Sequence, residues 1–381
     1  MTRIVSRFPL PPMSLGTERH LTVHSYGDPD ATPKAYLQGG LHAGELAGPL
    51  ALHHLIRRLD AGEDEILGHI MIVPIANPIG QSQVMRGTMA GRFAESDGSN
   101  FNRGFPDIAQ EVAEAVRGGL TGDAAANTVL MREAIGDVLA DRAGMAATEI
   151  DYLRITLMRL ACDADLALDL HCEEEGLVHL YVDTLNWPDA SDIARLLDSR
   201  VTLLTNPTAA MSFDEAMTAP WRKLEGEGLD SGCLTATVEL RGAADVGDAL
   251  AEEDADRLYR ILQSRGVVAG GEEIGAEEIG TDDEAPMRAV PVEGMDRIVA
   301  PTPGIISFRV PLGTEVTAGQ PIADLIDPTA DDPAEGRIEL TAACDGLLYA
   351  RRIQRFAHTG ATVAKVASSR PVTATSSHLT D

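Results

Sequence analysis

The 381-residue sequence predicts an α/β fold: a mixed, mostly parallel sheet flanked by helices, followed by a small all-β barrel or sandwich domain. Three observations predict it. Short apolar runs, as in residues 69–78 (HIMIVPIANP) and 164–172 (ADLALDLHC), have the continuous hydrophobicity of strands buried on both faces. Helix-period segments lie between them, the order expected of parallel strands joined by crossover helices. Beyond residue 285 the texture changes to short β-rich segments cut by Gly and Pro turns.

Taken in order, residues 19–27 (RHLTVHSYG) alternate as a strand, and 34–40 (KAYLQGG) read as a strand ending in a glycine pair. From Glu45 to Leu59, Leu46, Leu50, Leu52, Leu55, Ile56 and Leu59 recur with helical period. Residues 79–106 lack periodicity and read as a long loop, which in a compact domain is usually functional or disordered. Residues 107–163 read as helical, broken near Gly118–Gly122. Strands follow at 164–172, 177–183 and 234–242, then a charged amphipathic helix at 247–266. The stretch GEEIGAEEIGTDDEA at 271–285 is a linker by composition. The expected organisation is therefore a main domain over 1–270, an acidic linker over 271–295 and a β-rich domain over 296–381.

The composition excludes several classes. A formal net charge of -28 and a pI near 4.6 argue against a nucleic-acid partner, which needs clustered Lys and Arg. Lys34, Lys223 and Lys365 are the only lysines. No apolar run is long enough for a membrane helix, and MTRIVSRFPLPP lacks the apolar segment of a signal peptide. Cys162, Cys172, Cys233 and Cys344 form no C-x-x-C pair. A reduced, cytoplasmic setting is expected.

Four short patterns carry chemistry. QGGLHAGELAG places His42 and Glu45 between a strand and a helix, where a tight turn can aim both at one point above the sheet edge. DLHC places His171 at the end of an apolar strand, two residues after Asp169; an imidazole there is a zinc ligand or a satisfied core histidine. SNFNRGFPD carries Asn102 and Arg103, a fork able to bind a carboxylate or polarise a carbonyl, in a loop packed by Phe101, Phe105 and Pro106. TVELRG puts Glu239 inside an otherwise apolar strand, a costly placement unless the carboxylate is functional or paired with Arg241.

In this order GGLHAGELAG, NFNRGFPD, DLHC and TVELRG resemble the succinylglutamate desuccinylase/aspartoacylase family of zinc carboxypeptidase-like hydrolases. The resemblance runs over about residues 34–245, and the β-rich tail also suits the family. It implies one zinc ion per chain, Zn²⁺ held by His42, Glu45 and His171, with Glu239 as general base. Arg103 would polarise the scissile carbonyl or hold a substrate carboxylate, with Asn102 beside it. Arg86 or Arg92 would take the remaining carboxylate or oxyanion role; spacing does not choose between them, and Arg86 is slightly preferred. Two departures stand out. Asn100 occupies the slot, two residues before Asn102-Arg103, where family members often carry aspartate, and no tyrosine precedes TVELRG; Tyr349 of the tail is the substitute expected to reach the site. The tail also resembles biotinyl/lipoyl-type hammerheads, but lacks a lysine between Lys223 and Lys365 for cofactor attachment, so it is expected to shape or cover the site.

The expected function is deacylation of a small N-acyl amino acid or related amide. The alternative is a carboxypeptidase for short or γ-linked peptides, and a non-catalytic binding module is the third reading. The partner implied is a small molecule, with no nucleic acid and no membrane; a homo-oligomer is compatible with the sequence.

Overall fold

The computed structural model describes residues 2–187, 189–227, 229, 232–271 and 287–371. The large sheet begins with β1 (Ile4–Leu10), β2 (Arg19–Gly27), β3 (Lys34–Gly39) and β4 (His69–Val73), with α1 (Ala47–Ala61) crossing between β3 and β4. The segment read as a loop contains α2 (Pro78–Gln81) and a small hairpin, β5 (Val84–Met85) and β6 (Thr88–Met89). Three helices follow, α3 (Ala109–Val116), α4 (Ala124–Gly144) and α5 (Glu149–Ala161). Asp123 and Thr148 cap the last two, their side chains accepting backbone N–H groups of the first turn. The chain then forms β7 (Leu166–Glu173), β8 (Glu175–Gly176), β9 (His179–Asp183), α6 (Ser191–Leu196), β10 (Val201–Thr205), α7 (Phe213–Lys223), β11 (Leu234–Gly242) and α8 (Asp248–Ser264).

With β12 (Arg288–Pro291) these strands make a nine-stranded sheet in the order β1-β2-β4-β3-β7-β11-β9-β10-β12. The centre, β4-β3-β7-β11, is parallel, whereas β9 runs antiparallel to β11 and β2 antiparallel to β4. The mixed, largely parallel α/β architecture is the one expected. The expected linker over 271–295 needs correction at its end. Arg288–Pro291 adds to the edge of the large sheet alongside β10, where Arg288, Ala289 and Val290 are all buried. The acidic stretch 272–286 lies outside the described residues.

One sheet face packs on α1 and α8 through Leu166, Leu168, Leu170, Leu234, Ala236 and Val238. Alternation then turns Asp169, His171, Glu173, Thr237 and Glu239 to the other face. Helix α1 lies so close to β7 that a Cβ on Gly48 would sit 2.7 Å from the Leu170 Cβ. Glycine at 48 is what lets the start of the helix touch the strand that carries His171.

The tail forms β13 (Met295–Val299), β14 (Gly304–Phe308), β15 (Glu315–Val316), β16 (Pro321–Ile326), β17 (Arg337–Thr341), β18 (Gly346–Arg351), β19 (Phe356–Ala357) and β20 (Thr362–Ala367). They fall into two sheets, β13-β20-β18-β15 and β17-β16-β14-β19, around a core that includes Ile306, Ile322, Leu325, Leu348 and Val363. β8 leaves the main domain to pair with β18, and Tyr181, Val290, Met295, Leu347 and Tyr349 form a shared apolar cluster. This union sets the β-rich tail beside the C-terminal edge of the large sheet.

Candidate active site and metal centre

Gly40, at φ 67°, turns the chain over the end of β3 and delivers His42 and Glu45 just ahead of α1. In the neighbouring strands, His171 of β7 is in register with Glu239 of β11. All four residues thus collect at the C-terminal ends of parallel strands, where open α/β sheets bind ligands.

His42 Nδ1 lies 2.9 Å from Glu45 Oε1, and His171 Nδ1 lies 2.7 Å from Glu45 Oε2. The ligand atoms of these three buried residues all fall within 4.8 Å of one another. Their surroundings fix the tautomers. Asn100 Oδ1 accepts the backbone N–H of Asn102 at 2.8 Å, which orients the amide with its oxygen towards His42. His42 Nε2, 2.8 Å from that oxygen, is therefore the donor. His171 Nε2 donates to Asp169 Oδ2 at 2.9 Å. Each imidazole is left with a lone pair on Nδ1 directed at the Glu45 carboxylate. Acceptor facing acceptor is stable only with a proton or cation between them. Two such nitrogens, a carboxylate and outer hydrogen bonds to each ring are a donor set that fits zinc.

The electrostatics differ between the two histidines. Burial holds the His42 imidazole below its usual value. Burial acts the same way on His171, but the Asp169 and Glu45 carboxylates outweigh it and raise that imidazole well above its usual value. Burial also opposes charge on Glu45, yet His42 and His171 hold its carboxyl well below the usual range.

Beside this cluster is a cavity of about 110 Å³, lined by His42, His171, Asn102, Arg103 and Glu239 among others. Asn102 Nδ2 stands 3.3 Å from His171 Nε2, and its Oδ1 accepts the Phe213 N–H at 3.0 Å. The Arg103 guanidinium is held by the Asn102 carbonyl at 2.7 Å. Burial, then the Glu45 and Glu173 carboxylates, push the Glu239 carboxyl up to about 8. Glu239 is not the partner of Arg241. A β-bulge between Glu239 and Gly242 places Arg241 at φ 60°, and its guanidinium pairs with Asp254 of α8.

Two expected positions need correction. Arg92, not Arg86, reaches the site: its Nη1 donates to Glu45 Oε1 at 2.7 Å and lies 3.2 Å from His42 Nδ1. Arg86 sits exposed at φ 51° in the turn of the β5–β6 hairpin and lines neither cavity of the site. Tyr349 does not line the cavity. It is fully buried in the interdomain cluster, its hydroxyl donating to Met295 Sδ, and Tyr181 is the tyrosine on the cavity wall.

Other lining residues are Thr205 of β10, Ser212 and Asp214 at the start of α7, and Arg297 and Lys365 of the β-rich tail. Lys365 Nζ is 2.5 Å from Glu173 Oε1. A wider cleft of about 680 Å³ runs between the tail and the main domain, lined by Gly44, Met89, Arg351 and His358 and sharing His42, Arg92 and Lys365 with the inner cavity. Among the described residues no helix is long and apolar enough to cross a membrane.

Residues 31–130 match the family model of the succinylglutamate desuccinylase/aspartoacylase catalytic domain. Similar solved structures include a succinylglutamate desuccinylase/aspartoacylase-type protein of Shewanella frigidimarina NCIMB 400, with a TM-score of 0.84 at 23% identity over 96% of this chain and 97% of that one. Another, from Shewanella amazonensis SB2B, has a TM-score of 0.82 at 23% identity over 96% and 98%. The product-bound ectoine utilization protein EutE (DoeB) of Ruegeria pomeroyi has a TM-score of 0.64 at 18% identity over 96% and 95%. A comparison with curated proteins returns no match. At these identities the neighbours establish the fold along the chain.

Proposed function

We propose that the protein is a zinc-dependent deacylase that hydrolyses the amide bond of a small N-acyl amino acid. The observation that carries this reading is the convergence of two imidazole lone pairs on the Glu45 carboxylate, beside a cavity lined by Glu239 and Arg103. His42, Glu45 and His171 would hold the ion. The chemistry it supplies is Lewis acidity, which polarises a carbonyl and makes water acidic.

The protein's own groups divide the remaining work. Glu239 takes a proton from the attacking water and delivers it to the leaving nitrogen. Its carboxyl is pushed up to about 8 by burial and by Glu45 and Glu173, so a nearby cation that offsets those charges brings it into range for a base at neutral pH. Arg103 and Arg92 offer guanidinium groups to the carbonyl oxygen and to a substrate carboxylate. Lys365 and Arg297 bring the tail domain into the wall, which supports a role for that domain in bounding the site rather than carrying a cofactor.

The size of the inner cavity favours small amides over peptides. Metal analysis of the purified protein, with a screen of N-acyl amino acids against dipeptides, tests the reading. Zinc near one equivalent and turnover of an N-acyl amino acid are expected; preferential cleavage of dipeptides would transfer the site to the carboxypeptidase reading.

A further inference from the structure

Helix α5 packs behind the loop that carries Asn100, Asn102 and Arg103. Ile150, Arg154 and Met158 lie four residues apart on its buried face. Arg154 is thus an arginine in a row of apolar residues, and it is only 7% exposed. Its ion pairing there is slight. Nη1 is 3.7 Å from Asp151 Oδ1, and Nε has no hydrogen-bond partner among the described residues. A buried guanidinium paired this weakly costs stability, so packing alone does not account for it.

Two contacts tie it to the loop. Nη2 donates to the Asn100 carbonyl at 3.0 Å, the same oxygen that accepts the Arg103 N–H at 3.1 Å. The guanidinium also packs against Gly104, where a Cβ would lie 3.6, 3.7 and 3.8 Å from Nη1, Cζ and Nη2. Arg154 therefore holds the turn over residues 100–103 at its first carbonyl and backs it at the next residue. Each polar side chain of that turn belongs to the site. Asn100 Oδ1 meets His42 Nε2 at 2.8 Å, Asn102 Nδ2 stands 3.3 Å from His171 Nε2, and Arg103 lines the inner cavity. The far end of the loop is braced separately: the Gly104 and Phe105 N–H groups donate to the carbonyls of Ala210 and Met211 at 2.8 and 3.1 Å.

We propose that Arg154 is a positioning residue for the metal centre: by fixing the Asn100 carbonyl it sets where Asn100 presents Oδ1 to His42. Arg154 lines neither cavity, so it acts through Asn100 and not on substrate. This rests on the zinc reading and adds to it a residue outside the site. Methionine at 154 fills similar space without a donor, whereas lysine keeps a cation and a donor for the Asn100 carbonyl.

The test is zinc affinity, measured by competition with a chromophoric chelator. Arg154→Met is expected to weaken binding by about 10-fold, the lower end of the range for losing an outer hydrogen bond. Arg154→Lys is expected to bind within about threefold of wild type, since a charge-assisted bond is kept. In Asn100→Ala the His42 ring already lacks its acceptor, so adding Arg154→Met should weaken zinc by less than about twofold further, the mark of two residues acting as one unit. A purely structural role would instead add its full effect in the double variant. Arg154→Gln, polar but too short to reach the Asn100 carbonyl from the same helix position, serves the same cycle if the methionine variant does not fold. Unchanged affinity in the single variant, or a loss that adds in full to that of Asn100→Ala, overturns the proposal. If the wild type binds no zinc, the metal reading fails, and ¹⁵N imidazole spectra of the metal-free proteins decide the positioning role. It stands if the His42 Nε2–H exchanges with solvent faster in Arg154→Met than in wild type and Arg154→Lys, and falls if the three match.

Discussion

Asn100 stands to His42 as Asp169 stands to His171: each presents an oxygen to the imidazole Nε2, at 2.8 and 2.9 Å. One oxygen belongs to a neutral amide and the other to a carboxylate. That difference contributes to the opposite directions of the two imidazoles: His42 is held down by burial, with Arg92 and His171 adding to it, and His171 is raised by Asp169 and Glu45 against burial. Replacing the expected aspartate with Asn100 therefore keeps the orienting hydrogen bond and gives up only the charge.

Removing the acceptor is expected to matter more than changing its charge. Asn100→Ala frees the His42 ring and should weaken zinc binding by about 10- to 100-fold, the usual cost of losing an outer hydrogen bond to a ligand. Asn100→Asp should bind zinc at least as tightly as wild type. Competition with a chromophoric chelator measures both; equal affinity in Asn100→Ala would remove the orienting role.

Glu239→Gln keeps shape and loses the base. Glu239 follows His171 in register on the adjacent strand, and the bulge after it removes Arg241 as a partner. The variant should retain zinc and lose about 10²- to 10⁴-fold in kcat, the range for one general base. Zinc content measured on the same sample as kcat separates loss of the base from loss of the metal.

Much of this site was legible because each of its strands ends in a polar residue that its apolar run does not explain. His171 and Glu239 interrupt runs whose other members, Leu168, Leu170, Ala236 and Val238, are fully buried. His42 and Glu45 follow a glycine pair that marks the turn. What could not be read was side-chain direction within the loop. Arg86 and Arg92 are equivalent in sequence, and only the hairpin that places Arg86 in its turn separates them. Tyr349 looked available because its burial depends on β18 packing against Tyr181 and Met295, contacts between residues far apart in the chain. The same limit hid Lys365, which enters the cavity only through tertiary packing. β1 and β10 were missed as well: Ile4–Leu10 is an edge strand with mostly exposed side chains, so its pattern carries little hydrophobic signal.

Arg92→Ala should reduce kcat/KM by about 10- to 100-fold, as expected when a charged hydrogen bond is lost, because its guanidinium reaches Glu45 and borders both cavities. Arg86→Ala, at an exposed turn, should leave kcat/KM within about twofold, as do most surface changes. Steady-state kinetics on the pair decide between them; the reverse pattern would return the role to Arg86.

Asp214 gives a pH signature in stability. Burial raises its carboxyl to about 6 from the ordinary 3.8. Between those values the folded chain holds more protons than the unfolded one, so this group's contribution to stability falls as pH rises through the window and levels off above 6. Asp214→Asn has nothing to ionise. Relative to wild type it should therefore gain stability from pH 4 to 6, reaching on the order of 3 kcal/mol by pH 7. Urea unfolding at several pH values checks this, and a difference that does not vary with pH would refute it.

Lys365 links the tail domain to the chemistry through Glu173. Its ammonium lies 2.5 Å from Glu173 Oε1, with both side chains mostly buried. Lys365→Met leaves the Glu173 charge without its partner and should cost about 1–3 kcal/mol, less than a fully dry pair because the lysine is still partly solvated. Adding Glu173→Gln should recover most of that loss. The same pair acts on Glu239, whose carboxyl Glu173 pushes up and Lys365 pulls down. In Lys365→Met the uncompensated Glu173 keeps Glu239 protonated to higher pH, so the acidic limb of the kcat/KM profile should move to higher pH. In the double variant both charges are gone, and the larger of the two opposing effects, that of Glu173, disappears with them; the limb should move back below the wild-type position. Unfolding midpoints and pH–rate profiles of the three proteins read these effects separately. A stability loss without a shifted limb would make the pair a domain clamp with no hold on the base.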